Sequence, residues 1–182
     1  HTVQWTANDN LSGIESTTCS GSAGNSACDS NSLIVNSTTE GSKILSVTVT
    51  DKAGNMSPGF VYLWYYDATP PTVSINGAPA TRTGSGNANL TFTANDSGSG
   101  VDQLYCQMDG AAAQACASPV SYTSLTEGAH TFQVYATDKA GNTSGKTQAT
   151  WTVDMTAPTI QYTQTPPPNS GSATNVFAFT GT

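Results

Sequence analysis

Thr50-Asp-Lys-Ala-Gly-Asn55 and Thr137-Asp-Lys-Ala-Gly-Asn142 are the same six residues set 87 positions apart, and this repetition decides the fold. Each copy follows an apolar run of period two. Ile44-Leu-Ser-Val-Thr-Val49 precedes the first, and His130 to Thr137 the second, with Phe132, Val134 and Ala136 on one face. Alternation of this kind marks a half-buried strand, and Asp-x-x-Gly-Asn is turn chemistry. Each copy therefore turns one strand into the next, the second into Thr147–Val153, where Ala149, Trp151 and Val153 share a face.

The same offset of 87 recurs at separate points along the chain. Thr69-Pro-Pro-Thr72 returns as Thr156-Ala-Pro-Thr159, Cys19 as Cys106, and Trp64 as Trp151. Trp5, Phe92 and Phe179 are in phase as well. A fixed period of this kind is the signature of a repeat array. In the repeat from Pro70 to Thr156, Val73–Ile75, Ala88–Thr93, Val101–Gln107, Ala112–Cys116, Ser118–Tyr122, His130–Thr137 and Thr147–Val153 read as strands. Asp109-Gly110 is a hairpin signal between two of them. Short strands with turns every 8–12 residues predict an all-β protein of tandem Greek-key β-sandwiches.

The phase also predicts the division of the chain. Residues 1–69 form a repeat lacking its first strand, 70–156 a complete repeat, and 157–182 the opening strands of a third. Such a window fits a cut through a longer array. The cut is the reading adopted, the alternative being a subunit whose C-terminal stub completes the open first repeat of a neighbour by strand addition.

Composition excludes several functions. The net charge of −7, with five Lys and Arg, argues against nucleic acid, which demands a basic footprint. No run of 18 apolar residues is present to span a membrane in this segment. Charged residues make up 9% of the chain; the abundant Thr, Ser, Asn and Gly suit short strands and turns.

Asp9-Asn-Leu-Ser-Gly-Ile14 and Asp96-Ser-Gly-Ser-Gly-Val101 resemble the opening motif of bacterial immunoglobulin-like (Big) repeats. Gly128-Ala-His-Thr-Phe132, Ala136-Thr-Asp-Lys-Ala-Gly-Asn142 and Val153-Asp-Met-Thr-Ala-Pro158 are similar to the later hallmarks of that family. Cys106-Gln-Met-Asp-Gly110, followed by Cys116, resembles its disulfide-bearing branch. The resemblance implies an immunoglobulin-like sandwich from a large secreted or cell-surface protein of adhesin type. It does not choose a ligand, because such folds carry many functions.

Four cysteines allow three pairings. Cys19 and Cys28 lie in one repeat, Cys106 and Cys116 at equivalent places in the next. Pairing within each repeat is the simple reading, with the Asp109-Gly110 turn bringing Cys106 beside Cys116. Disulfides imply an oxidising, extracellular compartment.

Catalytic patterns are missing from the sequence: carboxylates are scattered singly, and no nucleophile elbow, metalloprotease helix or phosphate loop occurs. Of the two histidines, His1 and His130, the second reads as a structural hydrogen-bonder. The chain is therefore expected to be no enzyme. Asp51 and Asp138 open the repeated turns, and Asp67 and Asp154 precede the Thr-Pro linkers. These four carboxylates suit either turn capping or a calcium site, since calcium takes six to eight oxygens. The resemblance implies that calcium at such junctions stiffens the array. Apart from that ion, no cofactor is expected.

Val61-Tyr-Leu-Trp-Tyr-Tyr66 is apolar on both faces, unlike its partner strand in the next repeat. Val61, Leu63 and Tyr65 are expected to pack against another repeat or copy, the alternative being cover by a loop of the same domain. Asn10, Asn36, Asn55, Asn89, Asn95 and Asn142 open glycosylation sequons. The functional expectation is a stalk or spacer of a surface adhesin or extracellular fibre, partnered by neighbouring repeats or copies. The alternatives are a self-assembling filament, sheath or surface-layer subunit and a glycan-binding accessory module of a secreted enzyme.

Overall fold

The computed structural model describes residues 2–22, 28, 32–34, 38–164, 169, 171, 174 and 176–181. His1, the Asn36 acceptor and Thr182 lie outside them. Every regular element among the described residues is a strand. The first repeat holds β1 (Thr2–Gln4), β2 (Ile14–Gly21), β3 (Ser32–Ile34), β4 (Gly41–Asp51) and β5 (Phe60–Tyr66). The second holds β6 (Thr72–Gly77), β7 (Arg82–Thr83), β8 (Ala88–Asn95), β9 (Val101–Met108), β10 (Gln114–Cys116), β11 (Val120–Tyr122), β12 (Gly128–Asp138) and β13 (Thr147–Val153). Two more follow, β14 (Ile160–Gln164) and β15 (Ala178–Gly181).

In the second repeat the strands form two sheets, β11-β8-β6 and β10-β9-β12-β13-β7, in an immunoglobulin-like sandwich. The period-two pattern explains which faces meet. Leu90 and Phe92 from β8, Phe132 and Val134 from β12, and Trp151 and Val153 from β13 are buried in one core. Intervening residues such as Thr131 and Gln133 remain on the outer side of β12. Fully burying a side chain of this size contributes about 1.5–3 kcal/mol. The edge strand β7 pairs parallel to β13 and begins its ladder at Arg82↔Thr152.

Among the described residues the first repeat follows the same plan with five strands. β1 pairs with β3, and β4 lies between β2 and β5. Among the described residues its core is Leu33, Leu45 and Val47, with Val3, Trp5, Cys19 and Trp64 packed against them. The pairing Val3↔Leu33 is the counterpart of Leu90↔Val120, both 87 residues on. β14 and β15 make a separate two-stranded sheet.

The hairpin between β9 and β10 turns at Asp109 and Gly110, both at positive φ (48° and 75°), the conformation that favours an Asp-Gly pair. Disulfides join Cys19 to Cys28 and Cys106 to Cys116, with Cα atoms 5.7 and 5.8 Å apart.

Candidate junction site

The repeated turn builds the first wall of the site. In Asp138-Lys-Ala-Gly-Asn142, Gly141 sits at φ 92° and its N–H donates to the Asp138 carbonyl at 3.2 Å. The Asp138 carboxylate closes the turn. Oδ1 accepts the N–H groups of Ala140 and Asn142 at 2.9 and 2.8 Å, and Oδ2 accepts the Asn142 side-chain amide at 2.8 Å. Asp51 makes the equivalent contacts with Ala53 and Asn55. Turn capping is thus what both residues do locally.

The second wall is the loop between β8 and β9. Asp96 Oδ2 accepts the N–H groups of Gly98 and Gly100 at 3.1 and 2.6 Å. The two walls are tied together: Lys139 N–H donates to the Gly100 carbonyl at 3.0 Å, and Ala140 N–H to Ser99 Oγ at 3.2 Å.

Asp67 enters this corner from the linker. It is buried. Its Oδ2 accepts Ser99 N–H at 2.6 Å and its Oδ1 accepts Thr69 N–H at 3.1 Å. Asn142 Nδ2 donates to the Asp67 carbonyl at 3.2 Å. Ser99, through its hydroxyl and its backbone N–H, holds the Asp67 carboxyl below the usual carboxylate range. The fit depends on Gly98, since a Cβ there would overlap the Asp67 carboxylate. The first repeat has exposed Leu11 at the matching position.

Three carboxylates therefore converge. Asp67, Asp96 and Asp138 each offer an oxygen, and these oxygens lie within 4.8 Å of one another. No lysine or arginine forms a salt bridge with them among the described residues, and Asp96 Oδ1 is buried without a hydrogen-bond partner. Backbone and amide N–H groups offset part of the cost of bringing these like charges together, and among the described residues no cationic side chain adds to them. The three carboxylates could together hold a hard divalent cation, Asp96 Oδ1 being the oxygen that no protein donor engages.

The four aspartates singled out in the sequence thus separate. Asp67 and Asp138 come together. Asp51 lies in the first repeat beside Asp9, at the positions of Asp138 and Asp96. Asp154 is exposed, and its Oδ1 accepts Thr156 N–H at 3.2 Å just as Asp67 accepts Thr69. Asp96 escaped assignment, although the 87-residue phase that pairs it with Asp9 is the signal that marks it. Two glutamates were also missed. Glu40 Oε1 accepts Ala68 N–H at 2.9 Å and Thr69 Oγ1–H at 2.7 Å. Glu127 Oε1 accepts Met155 N–H at 2.7 Å and Thr156 Oγ1–H at 2.8 Å. Both sit at one phase of the repeat and clamp the two linkers identically.

Val61, Leu63 and Tyr65 lie exposed on β5, an edge strand, with Leu63 68% exposed. Trp64 instead packs on the first core, with Tyr62 at 5.6 Å between ring centroids. His130 is buried: Nδ1 lies 2.8 Å from Asp109 Oδ2, and Nε2 lies 2.8 Å from the Thr126 carbonyl.

The chain resembles a solved structure of fibronectin(III)-like modules of Clostridium thermocellum CbhA. The two share 18% identity over 84% of each chain, with a TM-score of 0.44. No family model and no curated protein sequence matches the chain.

Proposed function

We propose that this chain is a structural spacer of an extracellular array, built so that successive sandwiches hold a set angle, with a divalent cation such as calcium bracing the junction. The observation that carries this reading is the linker held from both sides. Glu40 of the first repeat binds Ala68 and Thr69, while Ser99 and Asn142 of the second bind Asp67. Prolines at 70 and 71 restrict the same segment further. A disulfide in each repeat supports the extracellular setting, and the resemblance to bacterial immunoglobulin-like repeats supports the adhesin or fibre context.

Calcium added to chelator-treated protein is expected to raise the melting temperature, and Asp96→Asn to abolish the rise. Melting indifferent to calcium removes the cation from this reading. Small-angle scattering tests the spacer itself: Asp67→Ala is expected to broaden the distance distribution between repeats. An unchanged distribution overturns the held-linker role.

A further inference from the structure

Strand β5 turns alternate side chains to opposite sides of its sheet. Trp64 faces the first core, while Val61, Leu63 and Tyr65 face outward and are exposed. Ile44 of β4 stands directly across the ladder from Leu63 and is exposed as well, which widens the row at its centre. Ladder partners share one face of a sheet. The rest of this face is short hydroxyls: Ser42 and Ser46 pair with Tyr65 and Val61, and Ser46 and Thr48 pair with Ser20 and Thr18. No charged side chain of β2, β4 or β5 joins them. Lys43 is buried on the inner side, and Glu15 and Asp51 stand at the far end of β2 and β4, beside the register shift.

The second repeat shows that a repeat does not cover this face from within. The matching positions there are Gln148, Thr150 and Thr152. Gln148 and Thr150 are exposed, with β7 pairing beside the strand at Thr152 and Val153. Edge pairing lies in the plane of the sheet, so a strand along the edge of β5 leaves the outer face equally open. The second repeat furnishes that face with groups that satisfy one another. Tyr105 and Tyr135 stack at 5.1 Å between ring centroids, Lys146 Nζ lies 5.8 Å from the centre of the Tyr135 ring, and Gln133 Nε2 donates to Gln148 Oε1 at 3.3 Å. The apolar row is thus a property of the residues of β4 and β5 themselves, and it gains by leaving water.

Its chemistry selects the occupant. A nucleic acid or an anionic membrane calls for basic side chains, which this face lacks. A second copy presents the same uncharged surface, so two chains of net charge −7 meet here without opposing like charges. Serine and threonine hydroxyls both donate and accept, so the fringe matches itself as well. The order of sizes along β5 fits the same occupant. Neighbouring side chains on one face of a strand stand about 6.7 Å apart. A two-fold axis through Leu63 sets Leu63 against Leu63, and the small Val61 against the large Tyr65 of the other copy.

We propose that Ile44, Val61, Leu63 and Tyr65 form a self-complementary docking face for a second copy of the chain, with the two β5 strands antiparallel about an axis at Leu63. Such a contact is isologous and closed, so it stops at two chains. It joins chains through their sheet faces and needs neither the cation nor the Glu40 clamp. Four apolar side chains are few beside the roughly 20–30 residues a side of a standard interface, so the pairing is expected to be weak, at about 0.1–1 mM.

Sedimentation equilibrium of the full chain, with both disulfides oxidised, reads the assembly across concentration. The mass is expected to rise from one chain toward two and no further. Leu63→Asp, which opposes two carboxylates on the axis, is expected to stay monomeric. Leu63 is exposed in the single chain, and an unchanged melt at low concentration verifies that the variant folds. Leu63→Thr, with the residue that the second repeat carries there, is expected to give the same result without a new charge. Cysteine cross-linking reads the geometry. Leu63→Cys is expected to form a disulfide-linked dimer with itself, and Val61→Cys and Tyr65→Cys to link far faster when mixed than either does alone. A wild-type chain that is monomeric up to about 1 mM overturns the proposal and leaves the face to a different partner. So does assembly that survives both Leu63 variants, growth beyond two chains, or a Val61→Cys chain that links to itself as fast as to Tyr65→Cys.

Discussion

His130 has an acceptor at each ring nitrogen, the Asp109 carboxylate and the Thr126 carbonyl, so the arrangement favours the doubly protonated ring. The Thr126 carbonyl, and after it Asp109, raise the His130 pKa above the ordinary 6.5. Burial pushes the Asp109 carboxyl up, but the Thr131 N–H and the His130 imidazole outweigh it and hold that carboxyl below 3.8. The histidine's contribution to stability is complete below its unfolded value and is lost as pH rises through the raised folded one. The aspartate's contribution is present above its unfolded value and is lost as pH falls through the lowered folded one. Melting of the second repeat is therefore expected to be highest between about pH 4 and 6.5 and to fall as pH rises through the raised histidine value. His130→Gln should flatten the alkaline drop, as thermal melts across pH will measure. Among the described residues the first repeat has no such pair. Lys43 and Ser22 stand at the matching positions, Lys43 Nζ bonding Thr39 Oγ1 and Ser22 Oγ accepting Ile44 N–H.

Among the elements, the hairpin of β9 and β10 depends on its covalent link. Cys106 is buried in the second core, and the bridge to Cys116 ties the edge strand β10 to its neighbour β9. Replacing both cysteines by alanine is expected to cost about 2–4 kcal/mol, read from denaturant unfolding of the oxidised protein against the variant. Strand β5 makes the opposite case. Leu63 and Tyr65 bury little, so Leu63→Thr with Tyr65→Thr should leave melting unchanged while reducing the binding of a hydrophobic dye. Together with Val61 these side chains form a row left open to solvent on the edge strand β5. A marked loss of stability in the double variant would show instead that the side chains are covered within the same domain.

At the scale of the molecule, each linker is gripped by a glutamate at the same phase of the repeat, Glu40 on Ala68 and Thr69, Glu127 on Met155 and Thr156. Glu40→Ala removes two hydrogen bonds from the first linker without touching either core. Scattering is expected to show a wider spread of inter-repeat distances, with each repeat's melting kept within about 0.5 kcal/mol of wild type. Identical profiles for wild type and variant would mean that Asp67 alone holds the linker.

Period-two alternation and the 87-residue phase were enough to read the sandwich and most of its strands, because both report on which side of a backbone each residue lies. The repeated Asp-Lys-Ala-Gly-Asn turn was equally legible, since its hydrogen bonds are local. Strand β7 was not, as its two residues owe their conformation to a parallel partner some seventy positions away. The junction divides along the same line. Asp67 and Asp138 were visible as turn and linker acids, but Asp96 joined them only when two loops and a linker met in space. Glu40 and Glu127, 28 or 29 residues from the groups they bind, were hidden for the same reason. Local chemistry and residue periodicity therefore determined the fold and the turns. Tertiary structure alone decided which carboxylates share a corner, which linkers are held and which apolar strands remain open, because those outcomes depend on distances between segments that the chain order does not contain.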